Sequence, residues 1–361
     1  MSTFSRRQLL LGVLLSAGLV AVGAPIGCAP ATPTAPGTSP TVGKATSVEL
    51  LNVSYDPTRE LWKDLNAAFV PEYEKKTGID LEIKQSHGSS GGQARAIIDG
   101  LAADVATLSI WSDTEQLHKK GLLKDGWEEK LPNRSLPYTS TVVLVVRKGN
   151  PKGIKNWSDL VEKDGIEIIT PNPKTSGNGK LSLLAAWGSV VLAGGSEEDA
   201  QKFIAKLYQR TPKLDTGARG ATVTFSQKGV GDVHLTMESE AYLEVEESKG
   251  ELEIIYPSIS ILHEPHVAVV DQVVDTKQTR EVAEAYLKFL YTDAGQEIIA
   301  HHHFRPSNPD IFARHKAEFQ EIKLFPITEI AKGGWAEVQT KFFADGGLFD
   351  QIYKPSSGNK N

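Results

Sequence analysis

The sequence predicts an α/β protein built as two globular units. Short β-like runs alternate with longer helical ones from Val48 onward, which is the pattern of strands covered by helices. The 361 residues are 40% hydrophobic and 23% charged, so the chain is long enough to bury two cores and apolar enough to fill them. No internal repeat interrupts the alternation.

Taken in order, Val48 to Tyr55 is a predicted strand, Thr58 to Thr77 a helix, and Asp80 to Ser86 a strand. Gly92 to Leu101 follows as an amphipathic helix, with Ala94, Ile97, Ile98 and Leu101 spaced for one face. Val105 to Ile110 is a strand, Thr114 to Lys119 a helix, and Tyr138 to Arg147 a strand of β-branched residues. Gly165 to Thr170, Gly231 to Met237 and Leu252 to Tyr256 add strands, and Leu181 to Leu192, Glu197 to Tyr208 and Arg280 to Leu290 add helices.

The first segment has a different character. Arg6 and Arg7 precede an apolar stretch from Leu9 to about Ala24, which is the length of a signal h-region and short of the roughly 18 to 20 residues that span a bilayer. The only cysteine, Cys28, closes that stretch beside small residues, so no intrachain disulfide can form. Cys28 resembles the lipid acceptor of a bacterial lipobox, although Pro25 stands where Leu is usual. A simple cleaved signal is the competing reading. Residues 29–47 are rich in Pro, Thr, Ala and Gly and form an expected tether, leaving the globular part to begin at Val48.

Charge narrows the class of ligand. Without Arg6 and Arg7, 37 basic residues face 45 acidic ones, a net charge of -8. An acidic chain has no long-range attraction for nucleic acid or an anionic membrane, so an anion must be held by local donors.

Three small-residue loops offer such donors. Ser-His-Gly-Ser-Ser-Gly-Gly at 86–92 and Asn-Pro-Lys-Thr-Ser-Gly-Asn-Gly-Lys at 172–180 each follow a predicted strand and enter a helix, and Asp-Thr-Gly-Ala-Arg-Gly at 215–220 is a third turn. A helix start presents unpaired N–H groups at the positive end of its dipole. The same residues also make ordinary turns and N-caps. The loop at 172–180 is not a nucleotide-binding P-loop, because Lys174 occupies the required first glycine and Leu181 follows Lys180. Gly88-Ser89-Ser90-Gly91-Gly92 does satisfy G-x-S-x-G, so an exported serine hydrolase is the alternative, with Ser90 as nucleophile, Asp232 or Asp271, and His263 or His266.

Several long segments carry a resemblance. Leu-Leu-Asn-Val-Ser-Tyr-Asp-Pro-Thr-Arg-Glu-Leu at 50–61, Gln-Ser-His-Gly-Ser-Ser at 85–90, Arg-Lys-Gly-Asn-Pro-Lys at 147–152, Asn-Pro-Lys-Thr-Ser-Gly at 172–177 and Ala-Glu-Ala-Tyr-Leu-Lys-Phe-Leu-Tyr at 283–291 resemble the periplasmic sulfate- and thiosulfate-binding proteins of bacterial ABC importers. The likeness runs from about residue 47 to Asp350. It implies a type II periplasmic-binding fold, in which two α/β lobes joined by two crossovers hold the ligand in their cleft. The lobes are expected at 48–139 with 260–361 and at 140–259, with crossovers near Pro137 to Ser140 and Pro257 to Ile261.

By position, the resemblance implies that the anion meets the Asp56 amide, Ser90, the Ser176 hydroxyl, and the amides of Gly177, Asn178 and Ala218. Two departures bear on the ligand. Ser176-Gly177-Asn178 stands where sulfate-binding members usually have Ser-Gly-Gly, as in thiosulfate-binding members, and Met237 stands where sulfate-binding members place a Trp whose N–H reaches the anion. A thioether cannot donate that bond but suits a soft terminal sulfur; filling space is its plainer role. The resemblance implies the permease subunits of an importer as partners, a monomer, no catalysis and no cofactor.

Other conspicuous residues have plainer readings. His301, His302 and His303 diverge as neighbours on one element and do not make a metal site. Glu244, Glu246, Glu247 and Glu251 suggest a solvated face. Trp187, Trp335, Phe342 and Phe343 read as core or lobe-edge residues.

Overall fold

The computed structural model describes residues 47–353. The apolar stretch after Arg7, Cys28 and nearly all of the tether lie outside the described residues. Among the described residues, no helix is long and apolar enough to cross a membrane.

Two sheets, each covered by helices on both faces, organise the chain. In the first half the order is β10-β3-β1-β2. β1 (Ser47–Tyr55) pairs in parallel with β2 (Asp80–Gly88) along its whole length and with β3 (Val105–Thr107), and β10 (Val267–Val269) runs antiparallel to β3. Leu50 of β1 joins a core with Leu61, Trp62, Leu65 and Phe69 of the helix Arg59–Thr77, whereas Val53 faces Ala94 and Ile97 of the helix Ser90–Ile98. Opposite parity within one strand thus fills both faces, as a parallel sheet requires.

The second sheet is centred on β4 (Tyr138–Arg147). β7 (Val233–Met237) lies antiparallel on one edge, followed by β5 (Ile168–Pro171) and β6 (Leu214–Asp215), both parallel. The other edge of β4 takes β8 (Leu252–Ile255), β9 (Ile259–His263) and β11 (Arg305–Pro306) in turn, and β9 takes β12 (Lys323–Phe325). Val142, Leu144 and Val146 pack on the helix Gly177–Val191, whose Leu181, Leu184 and Trp187 fill that core, while Val143 and Val145 face Ala221, Phe225 and Ala241.

Two features differ from expectation. Residues 323–353 pack on the second core, although the sequence-based boundary assigned everything after 259 to the first lobe. Phe325, Phe342 and Phe349 cover the helix Gly177–Val191 there, and a Cβ on Gly188 would run into the Phe325 ring. Apolar periodicity marks such residues as buried without naming the sheet that buries them. One member of the acidic run is also not solvated: the helix Glu238–Glu247 buries Glu244, along with Glu238 and Glu240, whereas Glu246, Glu247 and Glu251 are exposed. Trp187, Phe342 and Phe343 are core residues, and Trp335 packs at the edge of the same core.

The buried acids have partners. Glu238 receives Nε and NH2 of Arg305, both at 2.8 Å, which ties that helix to β11. Replacing Arg305 by Met strands a buried carboxylate, so a loss of about 3–5 kcal/mol is expected in urea unfolding. Much of it should return in Arg305→Met/Glu238→Gln, because the neutral amide no longer demands a cation. Equal stabilities for the two variants would show that the ion pair is not what the loss measures.

Candidate functional site

The carboxyl ends of strands from both sheets converge on one small cavity. That is where a doubly wound sheet leaves room for ligands, because its loops diverge there. The cavity is lined by Asp56, Ser90, Ser176, Gly177, Asn178, Ala218 and Met237, together with Tyr55, Pro57, Gly88, Ser89 and Ser109. All seven cavity residues expected from the sequence are therefore brought together. The space left between them is far smaller than the roughly 300–1,000 Å³ of ordinary small-molecule pockets.

Each half supplies donors through its own turns. β1 ends in a 3-10 turn, Asp56–Thr58, where the Thr58 hydroxyl donates to the Tyr55 carbonyl at 2.7 Å and Trp62 Nε1 donates to Ser54 Oγ at 3.0 Å. β2 leads to Ser89 in extended conformation as the N-cap of the helix Ser90–Ile98, whose first bond runs from Gln93 N–H to the Ser89 carbonyl. The N–H groups of Ser90, Gly91 and Gly92 precede that bond. In the second half, Ser176 caps the helix Gly177–Val191 and its oxygen accepts from the Gly179 N–H at 3.4 Å. Gly177 and Asn178 thus open the helix with unpaired amides. Gly217 precedes the short helix Ala218–Thr222 without a side-chain cap, and the first bond there runs from the Ala221 N–H to the Gly217 carbonyl at 3.3 Å. Met237, 1% exposed, ends β7 at the cavity wall.

The hydroxyls divide by the destination of their protons. Ser90 Oγ donates to Asp113 Oδ2 at 2.6 Å and accepts from the Ser109 N–H at 3.0 Å, so its proton is committed and Ser90 offers the cavity its amide. Ser176 Oγ only accepts within the protein, which leaves its proton for a ligand.

Cations beside the lining loops are compensated. Lys180 lies 3.4 Å from Asp113 Oδ1 with both side chains buried, Arg59 meets Asp56 at 3.1 Å, and Arg219 donates from NH2 to both Glu60 oxygens at 2.9 and 3.0 Å. Burial first, then Arg59 and Arg219, push His87 down to about 4, so it is neutral near pH 7. The cavity presents oriented dipoles in place of a free cation.

The hydrolase arrangement does not assemble. His263 Nε2 lies 2.6 Å from the Ser109 carbonyl, not against Ser90, and burial pushes its pKa down to about 4. His266 Nδ1 contacts the Glu264 carbonyl at 3.0 Å, Asp232 accepts the Glu167 N–H, and Asp271 is paired with Lys130. The G-x-S-x-G match is a helix entry whose serine has no imidazole.

Among the described residues no group of three or more metal-ligating side chains gathers. His302 meets Asp64 at 2.8 Å, His303 stacks on Tyr242 and His301 packs edge-on to His315, so the three side chains diverge. Sequence reasoning missed Tyr55, Pro57 and Ser109 as cavity walls. Ser109 sits two residues past β3 in Leu-Ser-Ile, with no glycine to flag it, and its position at a strand's carboxyl end was the available signal.

Behind the third loop, buried acids gather around Arg219. Its NH1 lies 3.5 Å from Glu240 Oε1, Thr222 Oγ1 lies 2.7 Å from Glu240 and 3.0 Å from Glu244, and His234 Nδ1 lies 2.8 Å from Glu244. Burial is the main cause that pushes Glu240 up to about 7, with Arg219 opposing and Glu244 adding to the rise.

Comparison with known proteins agrees with the geometry. The model of the bacterial extracellular solute-binding protein family matches residues 62–305. The chain is 48% identical to a thiosulfate-binding protein of Pseudomonas aeruginosa, covering 85% of this chain and 92% of that one. It is also 48% identical to a sulfate-binding protein of Escherichia coli, covering 86% and 94%. Among solved structures, the sulfate-binding protein SubI of Mycobacterium tuberculosis superposes with a TM-score of 0.74 at 31% identity, over 82% of this chain and 99% of that one.

Glu240 yields a pH prediction. Between the ordinary value of 4.5 and about 7, the unfolded chain releases a proton that the folded protein keeps, so this group's contribution to stability falls as pH rises through that window. Glu240→Gln has no such loss. Its stability relative to the native protein is expected to increase by up to about 3 kcal/mol between pH 5 and pH 8, measured by urea unfolding. A difference that does not change with pH would mean Glu240 ionises normally.

Proposed function

The chain belongs to the bacterial extracellular solute-binding proteins, and from that premise we propose that it captures sulfate or thiosulfate outside the cytoplasmic membrane and delivers the anion to an ABC importer. The observation that carries this reading is the cavity itself: unpaired amides from three helix starts and the free Ser176 proton converge on a space without an uncompensated cation. The names of its close relatives supply the chemical class.

The energetics suffice. A hydrogen bond to a charged group contributes roughly 1.5–3 kcal/mol, so the amides of Asp56, Ser90, Gly177, Asn178 and Ala218 with the Ser176 hydroxyl can offset the desolvation of a dianion. Donors also discriminate. Asp56 turns Oδ1 to Arg59 at 3.1 Å. With the anion meeting only the amides and the Ser176 hydroxyl, protonated phosphate would bury an O–H without an acceptor, at roughly 1–3 kcal/mol.

Met237 tilts the choice between the two anions. Its thioether lies at the wall without a proton to give, so sulfate gains no bond there, while the softer sulfur of thiosulfate fits against it. Both anions bind in this reading, with thiosulfate relatively favoured. The two halves close over the anion, the protein works as a monomer, and the rims of the closed halves meet the permease. Arg6 and Arg7 direct export by the twin-arginine route, and Cys28 carries a lipid anchor.

Calorimetric titration tests the site. Ser176→Ala is expected to weaken both anions about ten- to a hundredfold, and Met237→Trp to strengthen sulfate relative to thiosulfate by a similar factor. Equimolar phosphate should displace neither; displacement would refute the donor-only cavity. Labelled palmitate should enter the native chain in cells and not Cys28→Ser, and equal labelling would remove the anchor.

A further inference from the structure

Three glycines stand where the two halves meet around the cavity, and each faces a residue of the opposite half. A Cβ on Gly177 would lie 2.7 Å from both Cβ and Oγ of Ser109. On Gly217 it would lie 2.6 Å from Asp56 Oδ2 and 3.4 Å from Ser89 Cβ, and on Gly91 it would lie 3.1 Å from the Thr175 carbonyl oxygen. The first two are closer than real Cβ contacts allow, and the third is tight enough to force a small retreat.

Local backbone does not call for glycine at any of them. Gly91 and Gly177 lie inside helices with ordinary dihedrals, where alanine is the better helix former, and Gly217 is extended at φ -150° and ψ 172°, open to any residue. Gly179 provides the contrast. A Cβ there would lie 2.5 Å from the Pro171 carbonyl, within its own half, so that glycine serves the fold.

We propose that Gly91, Gly177 and Gly217 are the stops that set how far the halves close, and that the depth they permit sizes the cavity for one small tetrahedral oxyanion. The missing side chains let Ser109, Asp56 and Thr175 approach until donors from both halves reach a single solute. An added methyl holds the halves apart by its own thickness. Short-bonded sulfate then loses more contacts than a larger oxyanion such as selenate or molybdate. The inference rests on the reading of the cavity as an anion site that closes.

The test uses the full chain carrying Cys28→Ser and spin labels at Lys63 and Lys228, one on each half, with distances measured by pulsed dipolar spectroscopy. Native glycines define the shortest distance. Each alanine variant is expected to stop at a longer one, and to weaken sulfate about tenfold for Gly91→Ala and about a hundredfold for Gly177→Ala and Gly217→Ala. The loss should be smaller for selenate and molybdate. Without anion, Gly91→Ala should melt no lower than the parent, since alanine replaces a helical glycine. Gly179→Ala should melt lower.

Unchanged shortest distances and unchanged sulfate affinity in all three variants would overturn the stops. So would a lowered anion-free melting temperature that fully accounts for the loss of binding. A parent that responds to neither sulfate nor thiosulfate would overturn the ligand reading, not the stops, which are then read from the shortest distances sampled without anion.

Discussion

A helix leaves the N–H groups of its first turn without partners, and three such starts face one cavity here. Unpaired donors drawn away from water are costly unless something accepts from them. The rest of the molecule follows from placing those starts together. β1, β2 and β7 end at the cavity, the loops after β5 and β6 lead to it, the residues Ser89, Ser176 and Gly217 turn the chain into its helices, and the loops of two halves come within contact distance.

Charge compensation follows from the same constraint. A free lysine or arginine in the cavity would attract anions broadly and would itself have to be desolvated on closing. Lys180 is instead held by Asp113, and Arg219 by Glu60 and Glu240. Both arrangements span the halves, since Asp113 and Glu60 belong to the first and Lys180 and Arg219 to the second. A buried ion pair adds little net stability, because desolvation consumes most of the Coulombic gain, but it fixes which groups must meet. The pairs therefore fix the register of the two halves, and the cavity between them is lined by dipoles.

Much of this was legible in the residues. The strands β1, β2, β4 and β7 and the helices Arg59–Thr77 and Glu197–Gln209 follow from periodicity that one buried stripe or two buried faces impose. The three loops were legible because glycine and serine after a strand advertise a helix start. Ser109 was not, because a wall residue needs only position. Glu244 was misleading because an acid reads as solvated unless its partner is known, and Thr222 and His234, which meet it, lie on another helix and a neighbouring strand. The return of residues 323–353 to the second core was illegible for a similar reason: an aromatic residue announces burial and not the surface that buries it.

The serine of the G-x-S-x-G turn shows how far such a motif can be taken. A strand-to-helix turn with small residues lifts a serine and several amides toward a common point, and that geometry suits a nucleophile beside an oxyanion hole as well as it suits a bound oxyanion. What separates the two is where the hydroxyl proton can go. A nucleophile needs a neighbouring base to take it; His263 and His266 are bonded elsewhere, and Ser90 gives its proton to Asp113, which is already paired with Lys180. The proton has no route onward and the oxygen also accepts the Ser109 amide, so Ser90 is held as a fixed strut. The amides that would stabilise a transient oxyanion in a hydrolase are then available to hold a permanent one.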